Sequence, residues 1–149
     1  MKPEVIIYTD GACSPNPGNG GWGVVLISQE LQHRKELSGA EPNSTNNRME
    51  LTAAIEALQA LRKPCRVTLY TDSQYLRNAF EQHWLENWLR KNWKTSTGRP
   101  VANQDLWQRL LELSRTHEVD WKWVKAHNGD PENERADALA VEARKSLDG

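Results

Sequence analysis

Four acidic residues occupy positions in the sequence that favour a chemical role. Asp10 ends an apolar, strand-like run, and Glu50 lies in the first turns of an apolar helical stripe. Asp72 also follows a strand-like run, at the end of the strand where α/β sheets place their functional loops. Asp137 lies beside the Ala-Leu-Ala stripe of a helix near the end of the chain. Because a mixed sheet can bring all four acids to one edge, we expect them to form a single cluster.

Carboxylates crowded in this way repel one another unless cations lie among them. Oxygen ligands favour hard cations, so the cluster predicts Mg²⁺, with Mn²⁺ as a substitute, rather than zinc. Two such ions, roughly 3.5–4 Å apart, can activate a water molecule and stabilise the leaving alkoxide in phosphodiester cleavage. Metal-dependent cleavage of a phosphodiester is therefore the chemistry that these acids favour.

Each acid also has an ordinary structural explanation. Asp10 can open an Asp-Gly turn, and Asp72 can cap the helix that follows it. Glu50 can interact with the positive end of its helix, and Asp137 can be a solvated acid. Taken singly, these explanations are at least as good as a catalytic one. Taken together they weaken, because one edge of a sheet accounts for all of the positions.

The elements that must position these acids follow the order β-β-β-α-β-α-(α)-α-β-α. β-Branched and aromatic runs predict strands over residues 5–9, 22–28, 34–39, 66–71 and 119–125. Apolar stripes predict a helix capped by Asn46 or Asn47, and others from Gln74, at about 85–89, at about 106–113 and over 132–145. Short connections, including a loop over 14–21, indicate an antiparallel meander, which parallel crossovers follow. The predicted fold is one α/β domain over residues 1–149, a five-stranded mixed sheet flanked by helices.

Length and composition are those of a soluble globular domain. Of the 149 residues, 38% are hydrophobic and 26% are charged, and no run suits a membrane span or a signal peptide. The two cysteines, Cys13 and Cys65, lie far apart and lack metal-ligand spacing, which favours reduced thiols over a disulfide or a zinc site. We therefore expect a cytoplasmic monomer without a membrane partner.

One segment, residues 83–107, differs from the rest in composition, and we call it the basic segment. The net charge of the chain is only −1, yet the stretch from Arg90 to Arg99 carries basic residues and no acidic one. Four of the seven tryptophans lie in or beside this stretch: Trp84, Trp88, Trp93 and Trp107. A local basic face matters more for nucleic-acid binding than the overall charge does.

Four runs of the sequence resemble the motifs of the ribonuclease H type 1 family. They occur in the family's order and at close to its spacing, so the set is far more specific than any one run. The runs are Tyr-Thr-Asp-Gly-Ala-Cys (8–13), Asn-Asn-Arg-Met-Glu-Leu (46–51), Thr-Asp-Ser-Gln-Tyr (71–75) and His-Asn-Gly-Asp-Pro-Glu-Asn-Glu-Arg-Ala-Asp (127–137). The similarity extends from about Val5 to about Val141. It is strongest to the bacterial branch, which carries a Trp- and Lys-rich insertion like the basic segment.

The resemblance implies a ribonuclease H-like fold and an endonuclease that hydrolyses the RNA strand of an RNA–DNA hybrid, leaving 5′-phosphate and 3′-hydroxyl ends. It implies that Asp10, Glu50, Asp72 and Asp137 hold two Mg²⁺ ions and that water attacks the RNA phosphate. His127 matches the family's mobile-loop histidine, which assists proton transfer or product release. Without the resemblance His127 would be an ordinary loop residue, although the Asn-Gly-Asp that follows it suits a mobile loop.

Further residues match the family's contacts with the hybrid. Asparagine and glutamine carry donors and acceptors that suit 2′-hydroxyl groups and minor-groove base edges. The matching residues are Asn16, Asn46, Asn47 and Gln74, with Thr45 for a phosphate of the DNA strand. In the basic segment we expect Trp84 to pack against a deoxyribose, while the cations reach phosphates: Arg90, Lys91, Lys94 and Arg99. Without the family these residues would be turn formers, caps and a solvated loop, and we expect the other tryptophans of the segment to be mostly structural.

The sequence departs from the family pattern at three places. Ala126 precedes the loop histidine where a glycine is usual, and the basic segment has fewer lysines than is usual. One residue is added between Gln74 and Trp84. We expect the first two departures to change rate or affinity rather than the type of reaction.

Three other classes of protein share parts of this pattern. DNA nucleases of the ribonuclease H fold, such as integrases and junction resolvases, use the same carboxylate logic but generally need further DNA-binding domains. A hybrid-binding module without catalysis would lack at least one of the four acids, and all four are present. A metal phosphatase acting on small esters would leave the basic segment unexplained.

Overall fold

The structure, a computed structural model, describes residues 2–125 and 129–148. Over these residues the chain forms β1 (Glu4–Ser14), β2 (Gly18–Ser28), β3 (His33–Ser44), α1 (Asn46–Gln59), β4 (Arg66–Thr71), α2 (Gln74–Glu81), α3 (Trp84–Arg90), α4 (Gln104–Thr116), β5 (Glu118–Trp123) and α5 (Pro131–Lys145). The predicted order of strands and helices is confirmed. Within the described ranges, no helix combines the length and apolar character that crossing a membrane requires.

The strands form a five-stranded mixed sheet in the order β3-β2-β1-β4-β5. β2 pairs with β1 and with β3 in antiparallel fashion, whereas β4 pairs with β1 and β5 pairs with β4 in parallel fashion. Tight hairpins suffice for the antiparallel pairs, but parallel pairs need crossovers, which α1 to α4 supply. The predicted fold class is therefore confirmed. β1 is the central strand, which places Asp10 between the two halves of the sheet.

Helices cover both faces of the sheet. The larger core joins one face to α1, α2 and α4, and its fully buried side chains include Ile7, Val24, Leu51, Leu58, Leu69, Leu76 and Trp107. On the other face, α5 packs over β1 and β2, with Ala136 and Leu139 against Val25. Burial of apolar surface is the main force that holds these layers together. It fixes the two acid-bearing helices, α1 and α5, on opposite faces of β1.

The loop predicted over residues 14–21 is wrong in its extent. β1 continues to Ser14 and β2 begins at Gly18, so only residues 15–17 form the hairpin turn. Residues 19–21 pair with residues 12–14 in the antiparallel ladder. Their glycine- and proline-rich composition is typical of loops. The ladder continues through them because its hydrogen bonds come from the backbone, which glycine supplies as well as any residue.

The predicted cap of α1 is also wrong, because Thr45 caps this helix. The Thr45 hydroxyl oxygen accepts a hydrogen bond from the backbone N–H of Arg48 at 3.1 Å, and Asn46 and Asn47 are the first helical residues. At α2 the cap is Ser73, whose hydroxyl accepts from the N–H of Leu76 at 3.2 Å. Capping therefore does not explain an acid at position 72.

The basic segment contains the short helix and the polar loop that its sequence predicts. α3 is followed by an exposed stretch, which an isolated bridge between Lys94 and Pro100 closes. Trp93 and Trp107 are buried, and Trp88 packs between them with ring centroids 5.9 and 5.5 Å away. The structural role predicted for these three tryptophans is confirmed by their packing.

Candidate active site

Three of the four acids meet where β4 ends. Asp10 lies on β1, Glu50 lies in the first turns of α1, and Asp72 directly follows β4. One carboxylate oxygen from each of these residues lies within 4.8 Å of the other two. Asp10 and Glu50 are buried, with only 4% and 5% of their surfaces exposed, and Asp72 is half-buried. The cluster expected from the sequence is therefore present, and we call these three residues the carboxylate cluster.

The fourth acid, Asp137, reaches the carboxylate cluster from α5. Its half-buried side chain lies beside the side chain of Asp10, and this contact and the charge of Asp137 both raise the pKa of Asp10. Asp137 thus adjoins the cluster at Asp10, from the helix on the opposite face of the sheet from α1.

Two glycines allow α1 and α5 to approach the sheet at this point. A Cβ atom at Gly11 would lie 2.5 Å from the backbone nitrogen of Glu50. Gly23 pairs with Asp10 in the ladder, and a Cβ atom there would lie 2.3 Å from the carbonyl oxygen of Ala136. Any larger residue would push a helix away, so these glycines let the acids of three elements converge.

Burial and mutual repulsion raise the pKa values of the two innermost carboxyls. For Asp10, burial is the largest cause, followed by the charge of Asp72 and the contact with Asp137, and together they raise the pKa to about 9. A hydrogen bond of 2.9 Å from the backbone N–H of Gly11 opposes this rise. Burial, and then the charges of Asp10 and Asp72, hold the pKa of Glu50 well above its ordinary value. Cations placed among such carboxyls would relieve this repulsion and favour their ionised forms.

The donor set of the carboxylate cluster fits a hard divalent cation. Every ligand atom is a carboxylate oxygen, the type that Mg²⁺ and Mn²⁺ prefer. Oε1 of Glu50 is buried and has no hydrogen-bond partner among the described residues. Leaving a buried polar atom unpaired costs about 1–3 kcal/mol, and a coordinated cation would remove that cost. The acids therefore suit a metal site better than a purely structural role.

The residues predicted to contact a hybrid flank the acids along the chain. Oδ1 of Asn16, in the hairpin turn, accepts a hydrogen bond from the backbone N–H of Asn46 at 3.1 Å. This bond ties the turn to the start of α1, where Asn47 is exposed and Thr45 provides the cap. Gln74 is exposed at the start of α2 and donates to Oδ1 of Asn78 at 2.7 Å. The structure thus brings Asn16, Thr45, Asn46 and Asn47 together, with Gln74 beside Asp72.

The predicted residues of the basic segment lie at its surface. Trp84 is half-buried, its Nε1 donates to Oε1 of Gln82 at 3.1 Å, and its ring lies 6.0 Å from that of Tyr75. Lys91 and Lys94 are exposed. The predicted contacts of these three side chains with sugars and phosphates stay predictions.

His127 and Ala126 lie outside the described residues. Asp130, which follows them, caps α5, since its side chain accepts hydrogen bonds from the N–H groups of Glu132 and Asn133. The predicted role of His127 stays a prediction.

A polar network beside the site, centred on Arg48 and Tyr75, was not predicted from the sequence. Arg48 forms an ion pair with Asp105 at 3.1 Å and a hydrogen bond with Asn103, and Asn103 and Trp107 both donate to the hydroxyl of Tyr75. Arg48 and Asp105 are 57 positions apart, and no periodic pattern links them. The one signal in the sequence was the position of Arg48 inside the run that carries Glu50.

A five-stranded mixed sheet with a buried carboxylate cluster beside its central strand defines an α/β protein with a site suited to divalent metal and phosphodiester chemistry. The family model described as RNase H matches residues 2–145. The chain belongs to the ribonuclease H family.

Curated relatives agree with this assignment. A protein named Ribonuclease H from Gluconobacter oxydans (strain 621H) is 56% identical over 146 residues, which cover 98% of this chain and 95% of the relative. Another of that name, from Halorhodospira halophila (strain DSM 244 / SL1), is 62% identical over 140 residues, covering 94% of this chain and 92% of the relative. These matches confirm the predicted family and enzyme class.

Solved structures share the fold. LC9-RNase H1, described as a type 1 RNase H with the type 2 active-site motif, has a TM-score of 0.86 at 32% identity, covering 98% of this chain and 74% of that one. LC11-RNase H1, solved in complex with an RNA/DNA hybrid, has a TM-score of 0.75 at 22% identity, covering 97% of this chain and 99% of that one. The second likeness supports the fold alone.

Proposed function

We propose that this chain is an endonuclease that hydrolyses the RNA strand of RNA–DNA hybrids and leaves 5′-phosphate and 3′-hydroxyl ends. The observation that carries the proposal is the carboxylate cluster, whose oxygens lie within 4.8 Å of one another in a chain of the ribonuclease H family. Two Mg²⁺ ions, with Mn²⁺ as a substitute, are the proposed cofactors. Their proposed ligands are Asp10, Glu50, Asp72 and Asp137.

The residues of the chain prepare the site for these ions. Burial raises the pKa values of Asp10 and Glu50, so cations at this site would compete with protons for both carboxylates. Oε1 of Glu50, which is buried, would gain a partner when a cation binds. When bound, the ions supply an activated water and a positive charge beside the leaving oxygen. Asp72, half-buried directly after β4, is the most exposed member of the carboxylate cluster.

Recognition of the hybrid is proposed to use both sides of the site. Asn16, Asn46, Asn47 and Gln74 would read 2′-hydroxyl groups and base edges in the minor groove, and Thr45 would contact a phosphate of the DNA strand. The hydrogen bond from Asn46 to Asn16 supports this, because it holds two of these residues together. Trp84, Lys91 and Lys94 would hold the DNA strand through stacking and charge.

His127 is proposed to assist proton transfer or product release. Its support is its motif and its position three residues before Asp130, which caps the helix that carries Asp137. An imidazole titrates near neutral pH and can therefore exchange protons with a reacting phosphate or its products.

We also propose that residues 1–149 act as one catalytic domain, as a monomer in the cytoplasm. The family match over residues 2–145 and the sheet that runs through both halves of the chain support one domain. The two free cysteines fit a reducing compartment.

A substrate panel tests the proposed function. The protein is incubated with labelled RNA–DNA hybrid, duplex DNA or single-stranded RNA, each with Mg²⁺ or with excess chelator, and the products are resolved on a gel. We expect cleavage of the RNA in the hybrid with Mg²⁺ alone. Robust cutting of duplex DNA would favour a DNA nuclease of the same fold, and binding without any cutting would favour a hybrid-binding module.

A further inference from the structure

A polar network joins α1 to the start of α4. Arg48, two residues before Glu50, forms a two-pronged ion pair with Asp105, with distances of 3.2 Å from Nη1 to Oδ1 and 3.1 Å from Nη2 to Oδ2. Nη1 also donates to Oδ1 of Asn103 at 3.3 Å. Two parallel hydrogen bonds between a guanidinium and a carboxylate fix orientation as well as distance. The ion pair therefore ties the helix that carries Glu50 to one end of the basic segment.

The network continues to α2 through the hydroxyl of Tyr75, three residues after Asp72. Nδ2 of Asn103 donates to this hydroxyl at 3.2 Å, and Nε1 of Trp107 donates to it at 2.9 Å. Trp107 is fully buried, and its ring lies 5.5 Å from that of Trp88 in α3. The Tyr75 hydroxyl thus connects the residues after Asp72 to the C-terminal end of the basic segment, and the packing of Trp107 on Trp88 continues the contact to α3.

The exposure of the Arg48–Asp105 pair limits what it can add to folding stability. The side chain of Asp105 is 67% exposed and that of Arg48 is 31% exposed. Exposed ion pairs contribute little to folding stability. The contribution of this pair is instead geometric, because it joins the part of the chain that bears the acids to the part that bears the cations.

We propose that Asp105 and Tyr75 are positioning residues that hold the basic segment at a fixed distance and angle from the carboxylate cluster. Because the basic segment grips one strand and the cluster cuts the other, this geometry sets which phosphodiester of a bound hybrid is cut. The inference rests on the proposed function. Neither residue touches the reacting atoms, and both act through Arg48, Asn103 and Trp107.

A positioning role and simple electrostatics predict opposite effects of Asp105→Asn on hybrid binding. Asp105 is an acid within a segment proposed to bind phosphates, so charge alone predicts that Asp105→Asn tightens hybrid binding. Positioning predicts the opposite, because an amide cannot form the two-pronged ion pair with Arg48. We expect KM to rise about threefold to tenfold and cleavage to spread to neighbouring phosphodiesters.

The test uses the full chain with Mg²⁺ and a short hybrid whose RNA strand carries a 5′ label. KM, kcat and the distribution of cleavage positions are measured for the parent, Asp105→Asn, Asp105→Glu and Tyr75→Phe. Glu112→Gln is the matched control, since Glu112 is another exposed acid of α4 and pairs with Arg109 at 3.3 Å. Thermal melts of each variant show that it is folded at the assay temperature.

The inference requires that Asp105→Asn and Tyr75→Phe both raise KM and broaden the cleavage pattern, while Asp105→Glu and Glu112→Gln behave as the parent does. It is overturned if Asp105→Asn binds the hybrid as tightly as the parent, or more tightly, with the same cleavage positions. A lower melting temperature with unchanged cleavage positions would also overturn it, because the network would then be merely structural. If the parent itself leaves the hybrid intact, the proposed function fails and this inference falls with it.

Discussion

The backbone of Gly11 lies against the backbone of Glu50, so closely that a Cβ atom at Gly11 would be 2.5 Å from the Glu50 nitrogen and 2.6 Å from the carbonyl carbon of Met49. Atoms of these types do not approach so closely without a shift of the backbone. The absence of a side chain at position 11 therefore decides how near α1 comes to β1. Asp10 and Glu50 share their cluster as a result.

Replacing Gly11 with alanine should push α1 away from β1. We expect Gly11→Ala to lower the free energy of unfolding by about 1–3 kcal/mol, the usual cost of overpacking. The larger effect should be on activity, because the shift separates Glu50 from Asp10. Mg²⁺-dependent cleavage of a hybrid, measured well below the melting temperature, is expected to fall at least about tenfold, as for other misplaced catalytic groups.

Gly39→Ala is the control for this prediction. A Cβ atom at Gly39 would lie 2.6 Å from the ring of Trp22, so this variant is also overpacked, but on β3, two strands from β1, and against a side chain rather than against α1. It should lose stability and keep its activity while folded. Equal losses of activity in both variants would show that the close contact at Gly11 has no special role.

The raised pKa of Asp10 predicts a stability change when its charge is removed. A carboxyl whose folded pKa, about 9, lies above its unfolded value near 3.8 favours the fold when protonated. That stabilisation is fully present below about pH 4 and is lost as the pH rises through 9. In chelator near pH 8, Asp10→Asn should therefore melt at a higher temperature than the parent. The expected rise is about 2–4 °C for each kcal/mol by which the free energy of unfolding increases. The difference should shrink toward pH 4.

Mg²⁺ should narrow the same difference, because a bound ion stabilises the parent more than the variant. Thermal melts of both proteins with chelator and with Mg²⁺, at several pH values, measure the effect. Asp120→Asn, which removes an exposed acid of β5, is the control and should follow the parent curve. A variant that melts clearly below the parent in chelator would mean that Asp10 is a structural acid with satisfied hydrogen bonds.

Lys94 offers a test of the proposed grip on the DNA strand. If its ammonium contacts a phosphate, Lys94→Ala should weaken hybrid binding and reduce the slope of log affinity against log salt by about 0.9. kcat at saturation should change little, because the chemistry lies elsewhere. Lys63→Ala removes another exposed lysine, outside the basic segment, and should leave the slope unchanged. An unaltered slope in Lys94→Ala would show that this lysine is only solvated.

His127 is expected to act in turnover rather than in binding. His127→Ala should lower kcat markedly while the affinity for hybrid stays near that of the parent. Single-turnover and steady-state rates, measured beside binding, separate the chemical step from product release. Lost affinity with kcat intact would instead make His127 a substrate contact.

The sequence was sufficient for the order of the elements and for the three acids of the carboxylate cluster, because apolar periodicity and short motifs are local features. It was insufficient where tertiary contacts override composition. Residues 18–21 are rich in glycine and read as a loop, but pairing with β1 extends the strand through them. Thr45 took the capping role expected of Asn46 or Asn47, which differ from it by only one or two positions.

The sequence patterns did not predict the contacts between segments that are distant along the chain. The approach of Asp137 to Asp10 depends on Gly23, which lets α5 lie against β2, and nothing in the predicted strand over residues 22–28 marks this glycine as a contact point. The pairing of Arg48 with Asp105 depends on how α1 packs against α4. Both depend on the assembled sheet and helices rather than on any one run of residues.

The most direct test of the proposed active site is an assay of the parent and Asp10→Asn, side by side, on a hybrid with labelled RNA, in Mg²⁺ and in excess chelator, with analysis of the product ends. Only the parent with Mg²⁺ is expected to cut, the DNA strand should stay intact, and the fragments should carry 5′-phosphate and 3′-hydroxyl groups. Undiminished cutting in chelator, or cutting by Asp10→Asn at the parent's rate, would contradict the claim that the carboxylate cluster is a metal-dependent active site.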